Sequence, residues 1–137
     1  MRAPGFSARN HSLPEHHFAL PVREGGFRLP LQPGITLAPP GYHLLVSDTQ
    51  TLDISQDERV NWSCPSIDVL FRSAAEVFGS RLITLTLTNV NADADADGAE
   101  GAAYTARLGV CVLAQNPADA EHRITLRLIA LAGVTAL

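Results

Sequence analysis

A chain of 137 residues that is 46% apolar has the size of one domain and can bury a core of ordinary extent. Its formal net charge of −4, with all ten basic residues arginine, argues against a nucleic-acid partner, which needs a basic stripe. No apolar run reaches the roughly 18–20 residues that span a bilayer. The opening Met1-Arg2-Ala3-Pro4-Gly5 has no apolar signal core, so the reading is a cytoplasmic protein without membrane insertion.

Residues 1–33 are rich in Pro, Gly and His, and only Phe18 to Val22 reads as a short strand. From Gly34 the pattern sharpens. Ile35 to Ala38, Tyr42 to Val46 and Thr51 to Ser55 read as strands separated by Pro39-Pro40-Gly41 and by Ser47 to Gln50. Together, 35–55 is expected to form an antiparallel meander. Apolar residues at Ile67, Leu70, Phe71, Ala74, Ala75 and Phe78 follow helical spacing. Ser66 is the expected N-cap, Asp68 lies in the first turn where the helix dipole favours a carboxylate, and Gly79 is the stop. Ser73 falls on this helix as a surface residue.

Leu82 to Thr88 reads as a buried strand, Asn89 to Asp97 as a polar loop, Gly98 to Leu108 as a helix ended by Gly109, and Val110 to Ala114 as a strand. Strand, helix and strand of these lengths form a βαβ unit and hence a parallel pair. Arg123 to Leu131 alternates like a strand in its first half and suits a helix in its second. The fold class is α/β, a partial doubly wound and mostly parallel sheet with helices on both faces and the 35–55 meander attached.

The loop before Gly98 holds Asp93, Asp95 and Asp97 two residues apart, at the end of a strand where sites form in open α/β sheets. The string matches the opening of a calcium loop, but its twelfth position is Tyr104 where a bidentate Glu belongs. The competing reading is a solvated acidic loop with Asp97 as N-cap of the following helix. His11, His16 and His17 cluster without a fourth zinc ligand, His43 reads as a partly buried structural histidine, and Cys64 and Cys111 read as buried thiols without metal spacing. No Ser stands in the Gly-flanked strand-to-helix turn that a nucleophile needs, and no phosphate loop is present. No cofactor is expected.

Five segments, in order, resemble one family. Met1-Arg2-Ala3-Pro4-Gly5-Phe6-Ser7 is similar to the H-M-P-P-G-F-T stretch of chemotaxis protein-glutamate methylesterases (CheB type). Pro33-Gly34 through Ala38-Pro39 to His43-Leu44 resembles their P-G-x-x-x-x-A-P-x-x-x-H-L. Pro65-Ser66-Ile67-Asp68-Val69-Leu70-Phe71-Arg72-Ser73-Ala74-Ala75 resembles P-S-V-D-V-L-F-x-S-A-A. Leu87-Thr88-Asn89-Val90-Asn91 with Asp97-Gly98-Ala99-Glu100-Gly101 resembles L-T-G-M-G-x-D-G-A-x-G, and Leu113-Ala114-Gln115-Asn116 resembles A-Q-[DN].

The resemblance implies a doubly wound domain that hydrolyses glutamyl methyl esters on chemoreceptors with a Ser–His–Asp triad. Asp97 takes the place of the triad acid, and Val90 takes that of a residue whose main-chain N–H serves the oxyanion hole. Residues 1–137 then form a single domain without the segment that carries the family's Ser and His. Four extra residues precede Asp97, and Ser63-Cys64 replaces a usual His-Arg. The expected state of this chain is therefore a degenerate, inactive methylesterase domain, since a triad acid alone has nothing to attack an ester. Its expected partner is a chemoreceptor or another chemotaxis signalling protein, which it would bind without catalysis in the alternative reading. An unpaired apolar edge on the 82–88 strand would recruit a second copy into a homodimer.

Overall fold

The computed structural model describes residues 19–60, 63–87, 97–119 and 135–136. Eight strands occur there: β1 (Val22–Glu24), β2 (Leu29–Pro30), β3 (Ile35–Leu37), β4 (His43–Asp48), β5 (Thr51–Ser55), β6 (Ile83–Thr86), β7 (Cys111–Ala114) and β8 (Thr135–Ala136). The helices are α1 (Ile67–Phe78) and α2 (Ala99–Arg107).

β4 and β5 form the expected antiparallel hairpin, with Leu44 opposite Ile54 and a bulge between Val46 and Asp48. The turn after β4 is stabilised by Gln50 N–H donating to Asp48 Oδ1 at 2.8 Å. β3 departs from the meander. It pairs in parallel with β1, Val22 opposite Ile35, and β5 takes β2 as its other neighbour. The Pro39-Pro40-Gly41 turn uncouples β3 from β4, because prolines supply no N–H to continue a ladder. The predicted strand at Phe18 to Val22 also shifts toward the C-terminus, to Val22–Glu24.

α1 forms where the apolar spacing places it. Phe71, Ala74 and Ala75 turn inward, and Gly79 closes the helix by donating its N–H to the Ala75 carbonyl. Ser73 is not a surface residue. Its hydroxyl donates to Leu70 O at 3.0 Å and accepts Val46 N–H at 3.0 Å, which fastens β4 to α1.

β6, α2 and β7 form the expected βαβ unit, with β6 and β7 parallel and Ile83 opposite Cys111. β8 joins β7 in parallel. Ala75 of α1 and Ala102 of α2 share one core cluster with Val110, Val112 and Ala114, so both helices cover the same face of this sheet. A second cluster, Tyr42, Leu44, Leu52 and Ile54, seats the hairpin. The Arg123 to Leu131 segment lies outside the described residues. Among the described residues no helix is long and apolar enough to cross a membrane.

Candidate active site

The parallel strand β6 points its carboxyl end toward the chain that leads to Asp97 and α2, the position at which open α/β sheets build sites. Asp97 is 3% exposed. Its Oδ1 accepts the Ser66 hydroxyl at 2.7 Å and Asp68 N–H at 3.2 Å, and its Oδ2 accepts Ile67 N–H at 2.7 Å. These donors are the opening of α1, not of α2. The expectation that Asp97 caps its own following helix is thus corrected. Gly98, with φ 98°, is the N-cap of α2 and turns the chain so that the Asp97 carboxylate reaches the neighbouring helix.

The return contact comes from Asp68. Its Oδ1 accepts Gly98 N–H at 3.1 Å and Gly101 N–H at 2.5 Å, the opening of α2. Each helix is therefore capped by a carboxylate that belongs to the other's N-terminus. Both acids sit at positive dipole ends. Ser66 holds the predicted cap position, but its hydroxyl serves Asp97 and makes no cap bond of its own.

Burial pushes the Asp68 carboxyl above the ordinary aspartate range. The Gly101 N–H opposes this, and the nearby Asp97 charge adds to it. The folded chain thus takes up this proton at a higher pH than the unfolded chain does. Stability from the group is complete below the ordinary value of 3.8 and is lost as pH rises through the folded value. Asp68→Asn keeps an acceptor for the α2 cap and removes the titration. Thermal unfolding of both proteins should show wild type gaining on Asp68→Asn as pH falls from about 7 to about 4. A flat difference, or one of opposite sign, would exclude the raised carboxyl.

Ser66, His43 and Asp97 lie together, yet they are not wired as a triad. Ser66 donates its hydroxyl to Asp97, while its main-chain N–H donates to His43 Nδ1 at 3.1 Å. That bond makes Nδ1 the acceptor, so Nε2 carries the hydrogen and donates to Glu58 O at 2.9 Å. Both ring nitrogens are spent on main-chain groups, and the ring is 1% exposed. His43 is a structural residue, more deeply buried than its sequence context implies.

A carboxylate offers about four lone-pair sites. Among the described residues, Asp97 uses two on Oδ1 and one on Oδ2, which leaves one Oδ2 position for a further donor. Val90, Asn91, Asp93 and Asp95 lie outside the described residues, as do His11, His16, His17 and His122. Among the described residues no cluster of three metal-type ligands forms. Cys111 is exposed, not buried, because odd positions of β7 face away from the helices; Cys64 is partly buried, and burial raises its thiol pKa. The residue missed by sequence reasoning is Asp68, whose role as cap of a second helix has no local signal.

A family model described as CheB methylesterase matches residues 2–130. The chain belongs to the CheB methylesterase family. A Leptospira interrogans relative is 39% identical over 87 residues, covering 64% of this chain and 43% of that protein. Two proteins described as protein-glutamate methylesterase/protein-glutamine glutaminase 2 are also similar. The one from Methanosarcina acetivorans is 35% identical over 82% of this chain and 33% of its own length. The one from Caulobacter vibrioides is 32% identical over 84% of this chain and 33% of its own. The chain thus spans less than half the length of these relatives. The crystal structure of the Thermotoga maritima CheB methylesterase catalytic domain superposes with a TM-score of 0.79 at 21% identity, over 98% of this chain and 72% of that one. The CheB fold, a mixed α/β arrangement of parallel strands and helices, is shared.

Proposed function

We propose that this CheB-family chain carries the acid-bearing part of a site that hydrolyses glutamate methyl esters on chemoreceptors, with Asp97 as the triad acid, and that the chain alone is catalytically silent. The observation that carries this is the state of Asp97: buried and, among the described residues, held by three donors with one Oδ2 lone pair unspent. A triad acid works in that way. It stays ionised, accepts the N–H of a histidine, fixes that ring's tautomer and stabilises the imidazolium that forms. Three prior donors keep the carboxylate from rotating as the histidine changes charge.

The relatives' names join a methylesterase to a glutaminase. Both reactions attack the same kind of side-chain carbonyl carbon and differ in the leaving group, methanol or ammonia, so a single triad serves both. The main-chain N–H of Val90 is the proposed oxyanion donor, a role that does not depend on the side chain. The silence of the chain rests on connectivity. Among the described residues, Ser66 and His43 are committed to Asp97 and to main-chain groups, and neither activates the other.

Methanol release from a methylated receptor, measured with the purified chain, is expected to stay at background. Turnover that disappears in Asp97→Asn would overturn the silence and keep the triad acid. Turnover that survives Asp97→Asn would overturn both.

A further inference from the structure

Thr84 and Thr86 alternate with exposed neighbours along β6 and turn toward the helices, each only 4% exposed. Across the ladder they stand opposite Val112 and Ala114, which belong to the core cluster shared with Ala75 of α1 and Ala102 of α2. Neither Thr84 Oγ1 nor Thr86 Oγ1 has a hydrogen-bond partner among the described residues. A buried hydroxyl without a partner is costly, and here two occupy successive inward positions of one strand. Valine has the same branched shape and suits a strand as well, so strand formation alone does not call for threonine at either position.

The usual protein partners are out of reach. A buried threonine on a helix bonds back to its own preceding turn, as Thr105 does by donating to Ala102 O at 2.9 Å. A strand offers no such carbonyl, because its main-chain groups lie in the plane of the sheet, across the direction of the side chains. The buried members of the facing cluster are Ala75, Ala102, Val110, Val112 and Ala114, none with a polar side chain. What satisfies a hydroxyl in such a place is water. An internal water needs about one probe sphere of space and roughly two to four polar partners. The short side chains of this cluster crowd the layer little. Beyond the two hydroxyls, helix carbonyls keep a second lone pair after their own bond and can accept from a water.

We propose that Thr84 and Thr86 hold internal water between β6 and the helices, a hydration site built into the core of the βαβ unit. The two residues are about 6.6 Å apart along the strand, at a rise of about 3.3 Å per residue. Two linked waters span that distance, and a direct hydroxyl–hydroxyl bond does not. Because both threonines are almost wholly buried, these waters exchange slowly with bulk solvent. That separates them from the water that hydrolyses an ester, which must enter and leave at each turnover. The site stands whether or not Asp97 serves a triad.

Oxygen-17 relaxation dispersion on the purified chain counts the waters that stay longer than the protein takes to tumble. The double variant Thr84→Val with Thr86→Val is expected to lose about one or two of them relative to wild type. Thr84→Ser with Thr86→Ser keeps both hydroxyls and should lose none. The valine pair should also melt about 3–6 °C below wild type, because the waters lose partners inside the core. A dispersion that the valine pair leaves unchanged would sink the site. So would a valine pair that melts above wild type, since a dry hydroxyl is a cost that valine removes. If the valine pair does not fold, a crystal structure of the wild-type chain decides. A water oxygen within hydrogen-bond distance of either Oγ1 supports the site; protein partners on both hydroxyls, or no water beside either, overturn it.

Discussion

Asp97→Ala is expected to lower the free energy of unfolding by about 3–5 kcal/mol, and Asp97→Asn by about half as much. The alanine removes the acceptor of three bonds at once. The Ser66 hydroxyl can rotate to seek another partner, but the Ile67 and Asp68 N–H groups cannot. A buried donor left without an acceptor costs roughly 1–3 kcal/mol. Relief of repulsion with Asp68 returns part of this, because the Asp97 charge is one of the causes that raise the Asp68 carboxyl. Asparagine keeps one oxygen for the opening of α1 and sets an amide against a remaining donor. Urea midpoints for the three proteins provide the measurement. Equal losses for Ala and Asn would mean that the crossed cap does not hold α1 in place.

Gly101→Ala should be nearly as damaging, against the helix-propensity trend. On an open helix the change gains about 1 kcal/mol. Here the added Cβ would meet Asp68 Oδ1 at 2.7 Å, Asp68 Cα at 2.9 Å and Phe71 Cβ at 3.2 Å. A main-chain atom cannot swing aside, so the two helices must part, and the Gly101 N–H bond to Asp68 stretches with them. The expected cost is about 2–4 kcal/mol. Gly26→Ala, where nothing lies within 4 Å of the new methyl, is the control and should shift stability little. A neutral or stabilising Gly101→Ala would show that α1 and α2 are farther apart than their cap bonds require.

What could be read from sequence follows the range of the interactions. α1 was legible to its boundaries because its spacing, first-turn carboxylate and terminal glycine are all local signals. The β6–α2–β7 unit was legible for the same reason, and the resemblance carried by Pro65 to Ala75 and by Asp97 to Gly101 pointed to the right family. The pairing of β3 with β1 was not legible, because partner choice depends on which edge a strand meets after the chain turns. The crossed caps were invisible as well. Asp97 looks like the cap of its own helix, and only the φ of Gly98, together with the closeness of two helices 30 residues apart in sequence, sends its carboxylate elsewhere. Cys111 was misjudged because burial habits of a residue type say nothing about which sheet face is covered.

The exchange of caps between α1 and α2 also sets how the domain breathes. When a helix carries its own cap, its first turn can fray while its neighbour stays intact. Here an excursion of either first turn withdraws a carboxylate from the other and uncovers N–H groups on both. Residues 66–68 and 97–101 are joined in this way by five hydrogen bonds, so they should open as one unit, with amide protons exchanging at a common rate. The acid at position 97 is then held as firmly as the two helix openings that it joins.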